Sequence, residues 1–196
     1  EIENSLKNKK KPNYSLLVSS INEILDPLII VHQSLCSIKC DIIANGTVLN
    51  LIRQAQTFGL NLAKVDIRQE SLRHSSLINS VCKKLGLDNY LNLAENEKIF
   101  FLTKEFKSKR PLIPQNINFN KEDRETWETF KMIAETNNEC LGAYVISMTS
   151  KVSDILAVLL LQKEAGVKKF LRIVPLFETL NDLDNAHKII ENLFKE

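Results

Sequence analysis

Glycine and proline are scarce in this chain, five of each in 196 residues. A sandwich or barrel of many short strands draws on those two residues at its turns. Their scarcity argues against such folds and favours helices. An excess of either charge is also missing, since 26 Lys and Arg stand against 24 Asp and Glu for a net charge of +2. That balance gives no reason to expect a nucleic acid or an anionic membrane as partner. Long apolar runs are absent too. The longest, Ile155 to Leu161, falls well short of the roughly 20 residues that span a bilayer. The chain opens on Glu-Ile-Glu and a lysine cluster, with no apolar segment of the kind a signal peptide carries. It has no initiator Met, so it is not expected to begin where its gene does. What is present is ordinary: 44% hydrophobic and 26% charged residues. This excludes disordered and collagen-like classes and leaves one large domain or two small ones.

Cysteine is limited to positions 36, 40, 82 and 140. Cys36 and Cys40 lie four apart in a helical stretch with His32 on the same face, a spacing that could offer thiolates to zinc. A structural zinc site needs a fourth ligand in a recognisable pattern, and none is evident. The simpler expectation is buried, reduced thiols in a reducing, cytosolic compartment.

Residues 1–14, with Lys9-Lys10-Lys11 and Pro12, read as a solvated linker or loop. A helical segment follows over 15–58. Its apolar residues recur at spacings of three and four from Leu16 to Ile29, and Pro27 is predicted to interrupt them. A second helix is predicted over 26–40, and a third over 47–57 after the Asn45-Gly46 break. The pattern changes after Gly59. Residues 60–68 alternate with period two and predict a strand. Ser71 is placed as the cap of a helix ending at Gly86. Helical stretches follow over 88–107 and 121–136, joined through Arg110-Pro111-Leu112-Ile113-Pro114. Residues 141–147 predict a second strand, and Ser153 or Asp154 caps a helix to Gly166. Residues 170–177 predict a third strand, and a last helix starts at Asn181 or Asp182. Strand, helix and strand over 143–176 have the length of one βαβ unit, which implies parallel strands covered on both faces. Residues 59–196 thus read as a helix-rich α/β slice of a larger fold, with inserted helices at 88–136.

In parallel α/β architectures the site lies at the carboxyl ends of the strands. Those ends carry Arg68-Gln69-Glu70, Ser147-Met148 and Glu178-Thr179. Arg68 and Glu178 are expected on one rim. An arginine fork suits a phosphate or carboxylate, and a neighbouring carboxylate suits a divalent cation. An ion pair that merely ties two strand ends together explains the same two residues equally well. His74, beside Arg73, reads as a packing or capping residue before a general base. His32 and His187 have no partners at telling spacing, and Trp127 with Phe130 and Met132 reads as helix packing. There is no Gly-rich phosphate loop, Gly-x-Ser-x-Gly elbow or His-Glu-x-x-His pair.

The rim segments are distinctive in their own right. Residues 57–74, which include Val65-Asp66-Ile67-Arg68-Gln69-Glu70-Ser71, closely resemble a signature of the phosphoenolpyruvate carboxylase family. So do Ala143-Tyr144-Val145-Ile146-Ser147-Met148, Ser153-Asp154-Ile155-Leu156-Ala157-Val158 with Lys163-Glu164-Ala165-Gly166, and Val174-Pro175-Leu176-Phe177-Glu178-Thr179-Leu180. Ile43-Ala44-Asn45-Gly46 and Ser108-Lys109-Arg110-Pro111-Leu112 add shorter matches. All are collinear with the family and together cover about residues 15 to 196.

The resemblance implies a mostly helical, cytosolic homotetramer built around a (β/α)8 barrel, of which this chain holds about three strands. It implies carboxylation of phosphoenolpyruvate by bicarbonate to oxaloacetate and phosphate, with Mg²⁺ or Mn²⁺ and without biotin. Such an activity supplies the tricarboxylic acid cycle or carbon fixation. By motif, Arg68 matches a catalytic, phosphate-binding arginine and Glu178 one of two acidic metal ligands. Gln69 and His74 fall in matched motifs without an assigned step. Val152 departs from a proline common in the family, a loss expected to trim stability rather than activity. The family's catalytic histidine, its second metal ligand, its catalytic lysine and its Gly-Arg-Gly-Gly loop have no counterpart in the chain. The expectation is therefore an internal segment, inactive alone. The alternative is a truncated, non-catalytic remnant or scaffold.

Overall fold

The computed structural model describes residues 18, 20–114, 116–136 and 139–195. The predicted linker and the expected helix start at Ser15 lie outside them. The chain divides into two compact units, 1–63 and 64–196.

In the first unit, α1 (Asn22–Ser37) runs straight through Pro27, so the two helices predicted there are one. Pro27 is the sixth residue of this helix, where its missing N–H forfeits one main-chain bond, to the Glu23 carbonyl, and its ring crowds that carbonyl, yet the helix continues. A short α2 (Asp41–Ile43) continues through a wider π-type turn, Ala44–Val48, into α3 (Leu49–Phe58). Gly46 kinks this run, at φ −86° and ψ −118°, without ending it. Among the described residues of this unit only Ala44 and Ile52 are buried.

The second unit holds a three-stranded sheet in the order β1-β2-β3, with both pairings parallel. Strand β1 is Val65–Glu70, β2 is Leu141–Ser147 and β3 is Arg172–Pro175. The parallel α/β reading therefore holds, and β2 lies where expected. Strand β1 begins five residues later than its alternation suggested, because Gly59 at φ 63° leads into turns over residues 60–63. Strand β3 is shorter than predicted and ends at Pro175, although the Leu176 N–H still donates to the Ile146 carbonyl at 2.8 Å. The sheet is open: the described residues form three strands and close no barrel.

Helix α4 (Ser71–Lys84) follows β1, and a single 3₁₀ turn, Tyr90–Asn92, leads to α5 (Glu95–Lys107). Helix α6 (Lys121–Glu135) precedes β2, α7 (Val152–Glu164) joins β2 to β3, and α8 (Leu180–Leu193) closes the chain. Cap placement differs in detail from the prediction. Ser71 is the first residue of α4 rather than its cap. Asp154 lies inside α7, and its carboxylate accepts from the N–H groups of Ser150 and Lys151, both at 3.0 Å. Thr179 and Asp182 cap α8 reciprocally, with two bonds of 3.1 Å, so the helix begins just before the predicted Asn181.

One face of the sheet is packed. Ile67, Tyr144, Ile146 and Ile173 share a core with Leu77, Ile78 and Val81 of α4, Phe130 and Ile133 of α6, and Val158 and Leu161 of α7. Phe130 stacks on Tyr144 with ring centroids 5.2 Å apart, and Trp127 packs on Phe119 as helix packing predicts. The opposite face carries Asp66, Arg68 and Glu70, all exposed, with Val145 and Val174 half-buried. Coverage of both faces, expected from the apolar runs, is not found: alternate residues of the same strands face out.

Two further features fix the sheet. The register between β1 and β2 shifts between Val65 and Ile67, and the Asp66 carboxylate accepts there from the N–H of Ala143 at 2.6 Å. Gly142 is required at this bulge because a Cβ would collide with that carboxylate. At the other end, the Gln162 amide, wholly buried, accepts from Leu171 N–H at 2.7 Å and sets the entry to β3.

Candidate functional site

The carboxyl ends of all three strands meet on one rim. The peptide that follows β2, the side chain on β1 and the loop after β3 converge on a single carboxylate. Arg68 Nη2 donates to Glu178 Oε1 at 3.0 Å, and the main-chain N–H of Met148 donates to Glu178 Oε2 at 3.0 Å. The structure thus brings together the two residues singled out from their strand-end positions. Their side chains remain 60% and 36% exposed, so the pair is open to a ligand. Alternation explains the placement. Arg68 lies opposite Val145 in the ladder, on the uncovered face, whereas its neighbours Ile67 and Gln69 turn into the helices.

Behind the rim lies a buried polar chain. The Tyr144 hydroxyl donates to Gln69 Oε1 at 2.8 Å, and Gln69 Nε2 donates to Thr129 Oγ1 at 3.3 Å. His74 Nε2 lies 2.8 Å from the same hydroxyl. Because that hydroxyl's proton is directed to Gln69, the histidine supplies the proton of its own bond and carries it on Nε2. Its Nδ1 is buried with no partner. Burial, helped by the Arg73 charge, lowers the His74 pKa to about 3, so the ring is neutral. His74 is a packing residue, as its spacing suggested, and it does not reach the rim.

The rim sets a donor fork beside a carboxylate. A guanidinium presents five donors in a planar fork, of which one is directed at Glu178. Glu178 has the hard oxygen chemistry a divalent cation takes. Among the described residues, however, no group of three or more His, Cys, Asp or Glu side chains is placed to hold a metal.

The Cys36, Cys40 and His32 candidate forms no such group among the described residues. Cys36 Sγ lies 3.9 Å from His32 Nδ1, and His32 Nε2 turns to Asn45 Oδ1 at 3.3 Å. Of the four cysteines only Cys82 is buried; burial raises its thiol to about 11. The expectation of buried thiols at Cys36 and Cys40 is corrected: both are half-buried, and among the described residues of the first unit only Ala44 and Ile52 are buried.

Sequence reasoning named Met148 only as a strand end and Ser71 only as a helix cap, and it gave no role to the Met148 main chain or to Tyr144, whose partners are distant in sequence. No local signal marks such contacts. Two of the distinctive segments do explain each other. The Glu164 carboxylate accepts from the N–H groups of Leu112 and Ile113 at 2.6 and 2.9 Å. Lys163 donates to the carbonyls of Glu105 and Ser108 at 2.7 and 2.6 Å.

The fold and rim define an α/β protein with an exposed arginine–carboxylate pair at the carboxyl edge of a parallel sheet. The family model described as "Phosphoenolpyruvate carboxylase" matches residues 1–196, and the chain belongs to that family. It is 46% identical over 187 residues to the phosphoenolpyruvate carboxylase of Acinetobacter baylyi, covering 92% of this chain and 21% of that protein. It is 44% identical over 180 residues to the enzyme of Haemophilus influenzae, covering 92% and 20%. To the C4 phosphoenolpyruvate carboxylase of Flaveria trinervia it is 42% identical over 176 residues, covering 90% and 18%. The chain therefore spans about a fifth of the length of these relatives.

Proposed function

We propose that this chain supplies one wall of the active site of a phosphoenolpyruvate carboxylase, which joins bicarbonate to phosphoenolpyruvate and yields oxaloacetate and inorganic phosphate. The observation that carries the reading is the accessible pairing of Arg68 with Glu178 at 3.0 Å on the carboxyl rim, within segments shared with the family. In the reaction bicarbonate attacks the phosphoryl group, producing carboxyphosphate and the enolate of pyruvate. Carbon dioxide from carboxyphosphate then bonds to the enolate carbon. Arg68 holds the phosphoryl oxygens through its fork and stabilises the charge that moves across them. To do so it leaves Glu178. Because the pair is solvent-exposed, opening it costs little.

Glu178, so released, offers one oxygen to Mg²⁺ or Mn²⁺. The described residues supply only this ligand. When bound, a divalent cation supplies Lewis-acid stabilisation of a developing enolate oxygen. The same family reading extends to a (β/α)8 barrel of which the three parallel strands are a part, to a cytoplasmic homotetramer that works without biotin, and to oxaloacetate supply for the tricarboxylic acid cycle or carbon fixation.

The test is to express the full polypeptide that carries this segment and to follow oxaloacetate formation from phosphoenolpyruvate and bicarbonate with Mg²⁺. Activity that falls sharply in both Arg68→Ala and Glu178→Ala supports the proposal. A well-folded polypeptide that forms no oxaloacetate overturns it and leaves a non-catalytic remnant or scaffold.

A further inference from the structure

A second set of contacts underlies the rim. Ser71 opens α4 and is 5% exposed, yet its hydroxyl does not serve its own helix. Ser71 Oγ donates to the carbonyl oxygen of Met148 at 2.9 Å, across 77 positions of sequence. Met148 has φ 56°, in the left-handed region that side-chain sterics disfavour for any residue with a Cβ. In that conformation its N–H is directed to Glu178 Oε2 at 3.0 Å, while Oε1 of the same carboxylate accepts from Arg68. The two peptide groups flanking the Met148 Cα are therefore each held, one by a buried hydroxyl and the other by the rim carboxylate. Relaxation of φ to negative values would turn the N–H away from Glu178. Ser71 comes three residues after Arg68, where β1 passes directly into α4, so the segment that presents the arginine also carries the group that restrains the peptide facing it.

We propose that Ser71 is a positioning residue: its hydroxyl holds Met148 in the left-handed conformation, and the Met148 N–H in turn fixes the Glu178 carboxylate opposite Arg68. This deepens the carboxylase reading and rests on it for its catalytic consequence. A hydrogen bond to a charged acceptor contributes enough that losing its alignment reads as about a tenfold change in an equilibrium or more. Asparagine tolerates the left-handed region better than other residues with a Cβ, which provides a rescue.

Two measurements on the full polypeptide test the role. The first is amide hydrogen exchange at Met148, which needs no activity. Exchange is expected to be protected in the unaltered protein and about tenfold faster in Ser71→Ala, with Ser71→Thr retaining protection. The second is the split between KM and kcat for phosphoenolpyruvate. Ser71→Ala is expected to raise KM about tenfold with a smaller change in kcat, and adding Met148→Asn to Ser71→Ala is expected to recover most of the KM. A purely structural serine would not be repaired by a substitution at 148. Equal exchange at Met148 with and without the hydroxyl overturns the proposal, as does a KM rise that Met148→Asn leaves in place. If Ser71→Ala does not fold, exchange of the Met148 amide at the free-peptide rate in the unaltered protein overturns it as well. A polypeptide that forms no oxaloacetate defeats the carboxylase reading alone, since exchange still decides what Ser71 does.

Discussion

Arg68 and Glu178 stand 110 positions apart in sequence and share a hydrogen bond of 3.0 Å across the rim of the sheet. Each answers the other's charge while both stay open to solvent. An exposed pair of this kind contributes at most about 1 kcal/mol to stability, so its value is in what displaces it. Arg68→Ala is expected to shift the melting temperature by no more than about 4 °C and to raise KM for phosphoenolpyruvate by about 10- to 100-fold. Arg68→Lys restores the charge without the planar fork and is expected to recover only part of that loss. Calorimetry and initial-rate assays of the full polypeptide check both.

Tyr144→Phe keeps the ring that stacks on Phe130 but removes the hydroxyl shared by Gln69 and His74. The wholly buried His74 then loses its partner, at about 1–3 kcal/mol, and the half-buried Gln69 loses one of its two bonds. The midpoint of denaturant unfolding should fall by the corresponding amount with an unchanged slope. A neutral result would show that this network adds nothing to stability.

His74 links stability to pH. Its pKa in the fold, about 3, lies below the ordinary value of 6.5. Between those two values the unfolded chain binds a proton that the folded protein does not. Its contribution to stability is therefore fully present above pH 6.5 and is lost as pH falls towards 3, with a slope of up to about 1.4 kcal/mol per pH unit. Asp154 acts in the opposite sense: burial raises its pKa, so the folded protein holds the extra proton just above the ordinary aspartate range. Comparing the unaltered protein with His74→Gln separates the two. Unfolding free energies from pH 4 to 7 should show a slope shallower by about one proton in the variant.

Glu164 is expected to be the key to the connection between α5 and α6. Its side chain is 1% exposed, and its carboxylate accepts both the Leu112 and the Ile113 N–H groups. Glu164→Ala leaves those donors buried and unpaired, and is expected to destabilise the protein by about 2–4 kcal/mol. Hydrogen exchange should accelerate first over residues 108–114. Uniform acceleration along the chain would instead assign Glu164 a global role.

Much of this arrangement was legible before any coordinates. Strand β2 stood out as a short apolar run, and a βαβ unit of that length implied parallel pairing. Parallel pairing put Arg68 and Glu178 on one edge, since the carboxyl ends of parallel strands share a side of the sheet. Element ends were less legible. The alternation through Leu60 and Leu62 extended β1 too far, because period two cannot tell a strand from a turn that places apolar residues two apart. Pro27 suggested a break, yet the helix continues past the lost hydrogen bond and the crowded carbonyl.

Composition and pattern determined the class of the fold, the order of its elements and the two charged residues at the strand ends, because burial and periodicity are written locally in the chain. The distinctive segments determined the family. Tertiary structure alone decided that Ser71 turns from its helix to Met148, that the Met148 N–H rather than a side chain holds Glu178, and that His74 ends as a neutral buried ring on Tyr144. Those contacts join residues 30, 70 and 77 positions apart. Which distant groups meet is set by the pairing register of the strands and the packing of the helices on them, and neither is encoded at the positions of the groups themselves.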